Sequence, residues 1–202
     1  MNPLYKRILD FPYIPVLIKK LIIIGINWTF QGILYMDKTE KMFKILFDLI
    51  LMAVFWPIIS IKFYPAISLV FAFILAHTFN WLFNSNLFGL FKTFGNIRTP
   101  KEKFEEYIKK LQQKLENEPS IVWAGVYGSL VRGEFKETSD LDVRLIRKPG
   151  FINGVRACIF VMKERTWATF NRFPLDIYVF DNFKSLFKLK EEPIILRDFK
   201  GA

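Results

Sequence analysis

Apolar and polar positions follow three different rhythms along this chain. Between Ile45 and Phe91 there is hardly any rhythm, because Asp48 and Lys62 are the only charged residues there. Two apolar runs, at about 45–61 and 64–84, are separated by the sequence IKFYP. Each approaches the ~20 residues an α-helix needs to cross a ~30 Å hydrocarbon core. So short a connection predicts a transmembrane hairpin, with Pro57 inside the first helix, where lipid tolerates it, and Pro65 opening the second. After Pro100 the period becomes helical: Phe104, Tyr107, Ile108, Leu111 and Leu115 form one apolar face. SIVWAGVYG then reads as a central strand broken by Gly128. In DLDVRLI the period is two, with Asp140, Asp142 and Arg144 alternating with Leu141, Val143 and Leu145. FPLDIYVF reads as another strand, and GVRACIFVMKERTWATF between them as a helix that packs on the sheet.

Composition sharpens the division. The chain of 202 residues is 52% hydrophobic with 23 Phe, a heavy apolar load for one or two domains. Residues 1–100 carry 10 Lys/Arg and 4 Asp/Glu, whereas 101–202 carry 19 and 15. The boundary is therefore placed at Thr99–Pro100, giving a helical membrane-anchoring region over 1–99 and a second domain over 100–202. An all-apolar helical core in a soluble protein is the alternative for the first half.

Charge orients the hairpin. Lys38, Lys41 and Lys44 flank one outer end and Lys92, Arg98, Lys101 and Lys103 the other, while Lys62 alone marks the tip, so the positive-inside rule places both ends in the cytoplasm. The expectation is a multi-pass protein of the cell membrane with a cytoplasmic second domain. The stretch at about 17–36 has a short apolar part containing Asn27, Thr29 and Gln31 after Lys19 and Lys20; it reads as an interfacial amphipathic helix or a third span. No small-residue cleavage site marks a secretory signal. His77, the single histidine, is read as a hydrogen-bonding partner for a neighbouring helix. The net charge of +10 divides between the halves as +6 and +4, with no concentrated patch, so no specific nucleic-acid partner is expected. Cys158 stands alone and is read as a small buried hydrophobe, which excludes a disulfide framework and a cysteine-built zinc site.

The candidate chemistry lies in VYGSLVRGEFKETSDLDVRL, residues 126–145. Residues two apart in a strand share a face, so Asp140 and Asp142 project together, and neighbouring carboxylates raise each other's pKa unless a cation compensates. Oxygen-only ligation suits Mg²⁺ or Mn²⁺. Asp176, an acid within an apolar strand, completes the same site if its strand lies beside that of Asp142, and Asp181 is a rival third acid. Gly128 lets a phosphate approach the backbone, and Ser129 at the start of a short helix or turn offers a hydroxyl and an N–H to an anion. Arg132, Arg144, Arg156 and Arg172 are read as surface or ion-paired residues more than phosphate contacts, and Trp123 and Trp167 as core.

Gly128-Ser129, ten intervening residues, Asp140-Leu141-Asp142 and a later Asp176 resemble the nucleotidyltransferase superfamily that includes DNA polymerase beta, and especially its minimal members. Arg132-Gly133 and Ser139 agree with residues common at those places in the family, and the likeness covers residues 102–182. The resemblance implies an α+β fold with a mixed sheet, here preceded by the α-helical transmembrane hairpin. It implies transfer of a nucleoside monophosphate from an NTP to an acceptor with release of pyrophosphate. Asp140 and Asp142 would bind two Mg²⁺ (or Mn²⁺) ions and Asp176 the ion that activates the acceptor; Gly128, Ser129, Arg132 and Ser139 would serve the nucleotide. Larger members carry a further helical domain, for which the residues after Asp176 are too few. The acceptor site is therefore expected from the membrane region, a second copy or a partner, and the acceptor itself to be lipid-linked or a membrane protein. A catalytically silent nucleotide-binding or scaffold module and an antitoxin-like nucleotidylating regulator are the alternatives.

Overall fold

The computed structural model describes residues 3–85, 87, 90, 94, 98–186 and 191–198; Lys92, one of the flanking charges, lies outside them. Helices α1 (Pro3–Asp10), α2 (Val16–Phe30), α3 (Lys38–Ser60) and α4 (Pro65–Asn84) come first. Then follow α5 (Lys101–Glu116), β1 (Ile121–Tyr127), β2 (Leu141–Arg147), α6 (Phe151–Phe170), β3 (Leu175–Phe180) and β4 (Ile194–Asp198). The architecture is mixed α and β.

The two apolar runs are one helix each. Among the described residues, α3 and α4 are the two helices long and apolar enough to cross a membrane. Large apolar side chains of both, among them Leu49, Ile50, Val54, Ile67, Val70 and Leu75, are exposed. That argues against the soluble alternative, in which such helices would be wrapped by protein. What α4 buries is a stripe of small or polar residues every four positions, Ser68, Ala72, Ala76, Asn80 and Asn84. Small residues let helix backbones approach closely where apolar side chains gain nothing from meeting.

On α3 the matching file is Glu40, Lys44 and Asp48. Asn80 Nδ2 donates to the Lys44 carbonyl at 3.0 Å and to Asp48 Oδ1 at 2.9 Å. His77 Nδ1 lies 2.8 Å from Asp48 Oδ2 and its Nε2 2.9 Å from the Trp28 carbonyl, so the histidine joins three helices, and Asp48 is held between them. Helix α2 has 15 residues, about 22 Å at 1.5 Å per residue. It ends at Gln31, whose carbonyl accepts a hydrogen bond from the fully buried Lys44 Nζ at 2.9 Å. A cation at a helix C-terminus faces the negative end of its dipole.

The second half is a four-stranded sheet in the order β3-β2-β1-β4. β1 runs antiparallel to β2 and β4, while β2 and β3 are parallel and joined through α6. β1 is thus central, as its burial along nearly its whole length predicts. On one face Val126, Val143, Leu145, Leu175, Ile177 and Val179 pack against Phe104, Tyr107, Leu111 and Leu115 of α5 and Ala157, Cys158 and Val161 of α6. Tyr107 donates to Glu164 at 2.9 Å and stacks on Trp167, closing α5 onto α6. Trp123 is core, as expected, in a smaller cluster with Tyr127, Ile146 and Leu186. Strand β4, at the edge beside β1, is an element the sequence pattern did not announce.

The two halves are stitched at the free edge of β3. Glu40 Oε2 accepts the Val179 N–H at 3.0 Å and Asp37 Oδ2 the Asp181 N–H at 3.0 Å, so the start of α3 covers an edge that would otherwise present unpaired N–H groups. Cys158 sits behind this joint, and burial pushes its thiol up to about 12. Since the thiolate is the reactive form, iodoacetamide at pH 8 is expected to leave Cys158 unmodified in the folded protein and to label it fully after denaturation, read by intact mass.

Candidate active site

β2 and β3 lie in parallel register with Asp142 opposite Asp176, which brings together two acids 34 positions apart. Both alternate with buried Leu, Val and Ile, so both leave the sheet on the face away from the helical core. Arg144, one pleat further along β2, shares that face. Its Nη2 is 3.2 Å from Asp176 Oδ2 and 3.5 Å from Asp142 Oδ1, and its Nη1 donates to the Asp176 carbonyl at 2.8 Å. One guanidinium therefore serves two carboxylates. Burial, and next the charge of Asp176, push the Asp142 carboxyl up to about 7, with Arg144 pulling the other way and Asp140 adding to the rise.

Asp140 falls just before β2 rather than within it, half-buried, where the adjoining Leu141 N–H donates to the Pro174 carbonyl at 2.8 Å. Among the described residues no group of three or more Asp, Glu, His or Cys side chains could hold a metal ion. In this arrangement the cation between the two acids is Arg144. Asp142 and Asp176 are adjoining oxygen donors that share this counter-charge, and Asp140 adds its negative charge close by.

Asp181 is not a third acid of this site. It binds Arg147 Nε at 2.6 Å and both the N–H and hydroxyl of Thr39, so its role is to fasten β3 to α3. Arg156 pairs with Glu118 and is exposed, and Arg172 occupies an exposed turn at φ 51°.

Gly128 ends β1 at φ +85°, and a Cβ there would collide with Asp142 Oδ2. Both its conformation and its nearness to the acid require glycine. Gly128→Ala is expected to destabilise the protein by about 2–4 kcal/mol, from left-handed strain and overpacking together, measured as a lowered unfolding midpoint in detergent. Of the two forms expected after it, a short helix or a turn, the segment takes the turn. Val131 and Arg132 N–H groups return to the Gly128 carbonyl at 3.1 and 3.2 Å, and Glu134 N–H to that of Ser129 at 2.9 Å, but the chain turns away instead of starting a helix. Ser129 thus has no helix dipole behind it.

Arg132 is exposed and paired with Glu134 at 3.0 Å and with Glu191. The Gly128 N–H donates to Glu191 Oε1 at 2.7 Å. The Ser139 hydroxyl accepts the Lys136 N–H at 3.0 Å and stabilises the turn before Asp140. Arg144 is ion-paired, one of the two roles expected for it, although its partners depended on β3; Glu191, in an ordinary charged stretch, carried no signal in the sequence.

No family model, curated protein or solved structure matches this chain.

Proposed function

We propose that the chain is a membrane-anchored nucleotidyltransferase, which moves a nucleoside monophosphate from an NTP to an acceptor at the cytoplasmic face of the membrane and releases pyrophosphate. The observation that carries this reading is the opposition of Asp142 and Asp176 in register beside a glycine whose missing side chain leaves room for Asp142. Asp142 and Asp176 are the pair that would hold Mg²⁺ or Mn²⁺, with Asp140, just before β2, the further acid of the expected set. Such ions stabilise the attacking and leaving oxygens of a phosphoryl displacement. The chain's own residues supply the rest: the Gly128 N–H and Arg132 donate hydrogen bonds to phosphate oxygens, and Arg144 orients both carboxylates. The charge of an ion held there would add to the compensation that Arg144 provides.

Anchoring by α3 and α4 favours a lipid-linked acceptor or a membrane protein, and the acceptor site would be completed by the helical half, a second copy or a partner. A second reading, a catalytically silent nucleotide-binding module, is favoured by one observation: Arg144 already sits between Asp142 and Asp176. The test is transfer of α-phosphate label from each NTP with Mg²⁺ into a native membrane extract, comparing the protein with its Asp140→Ala, Asp142→Ala double variant. Label in one species with the natural sequence alone supports transfer and tells lipid from protein. NTP binding without label or pyrophosphate release supports the silent module.

A further inference from the structure

Glu191 stands outside the catalytic proposal and yet touches its nucleotide-binding residues. Its Oε1 accepts the Gly128 N–H at 2.7 Å and its Oε2 pairs with Arg132 Nη1. The carboxylate is largely shielded, with 19% of the side chain exposed against 46% for Arg132. Burial alone would push its carboxyl up; the hydrogen bonds from Arg132 and Gly128 hold it below the usual range. β4 sets this position: Ile194 pairs with Val126 and Ile195 with Gly125, so the residue three places before Ile194 is delivered to the end of β1, where Gly128 begins its turn. A carboxylate and a phosphate present the same pair of acceptor oxygens to a guanidinium.

We infer that Glu191 is an internal occupant of the anion seat formed by the Gly128 N–H and Arg132, and that a polyphosphate binds only by displacing it. The inference rests on the reading of that seat as the place for the NTP phosphates. It adds a regulatory property: the resting site is liganded by its own chain, and the apparent affinity for phosphate falls in proportion to the open fraction. It also adds selectivity, because a single phosphate must outcompete two hydrogen bonds with few of its own, whereas a tri- or diphosphate is long enough to reach further donors and any ion that Asp142 and Asp176 would hold.

The experiment is calorimetric titration of inorganic tripolyphosphate with Mg²⁺ into the full chain in detergent micelles. It compares the natural sequence, Glu191→Gln, Glu191→Ala, and Glu191→Gln combined with Arg132→Ala, each checked for an intact unfolding transition. The expected result is binding about tenfold or more tighter for both single variants, from loss of a charge-assisted competitor, with the gain abolished when Arg132 is also removed. Equal affinity for the natural sequence and both single variants would overturn the displacement while leaving the seat intact. Tighter binding that survives Arg132→Ala would place the phosphate elsewhere and overturn it as well. No binding by any variant would overturn the seat and the inference together.

Discussion

Arg165→Met is expected to destabilise the chain by about 3–5 kcal/mol, because it strands a buried carboxylate. Arg165 and Glu40 are each 2% exposed and lie 2.6 Å apart. Arg165 also donates to the Ile177 carbonyl at 2.5 Å and reaches Asn84 at 3.3 Å, so one guanidinium binds α3, α4 and β3 together. Removing both charges is a different matter. Glu40→Gln with Arg165→Met keeps an acceptor for the Val179 N–H and leaves no unpaired ion, and should recover most of the loss. Chemical unfolding in detergent, followed by tryptophan fluorescence, measures both; a double variant as unstable as the single one would mean that lost packing, and not a stranded charge, is responsible. The guanidinium of Arg165 also lies 4.9 Å from the ring centre of Tyr178, which has Arg144 at 5.0 Å. The joint between the helical half and the sheet thus ends against the residue that holds the two acids.

The second large effect is expected at Asp142. If the transferase reading holds, Asp142→Asn removes a carboxylate on which metal binding depends and should lower label transfer by about a thousandfold or more, a barrier change of about 4 kcal/mol. Its effect on stability has the opposite sign. The folded carboxyl is pushed up to about 7, above an unfolded value near 3.9. Between these values the folded state holds a proton that the unfolded state has lost, so stability falls as pH rises from about 4 to about 7 and is flat beyond. The asparagine cannot ionise and should lose this dependence. With allowance for solvent around a half-buried group and for the weakened contact to Arg144, the variant is expected to be more stable at pH 8 by about 1–2 kcal/mol. Thermal unfolding at pH 5 and pH 8 measures the difference. Mg²⁺ at pH 8 should raise the midpoint of the natural sequence and leave the variant unmoved; equal responses would remove Asp142 from any cation site.

What the sequence by itself determined is whatever a local period can encode. Apolar runs of helical length mark α3 and α4, although α3 starts earlier than its apolar run because Lys38–Lys44 extend it into the joint. A 3.6-residue period marks α5, and a two-residue period puts Asp142 on one face of β2 and Asp176 on one face of β3. Polar residues inside the apolar helices announced a buried contact without naming it. The tertiary structure alone decided the pairings: Asp142 beside Asp176, Arg144 between them, Asp181 turned toward Arg147 and Thr39, Lys44 at the end of α2, and Glu191 against Gly128. Periodicity reports which side of an element meets the core, whereas strand order, register and the partners of a charge depend on contacts between residues distant in the chain. Burial then makes those contacts obligatory, because a charge removed from water must find a partner wherever the fold supplies one.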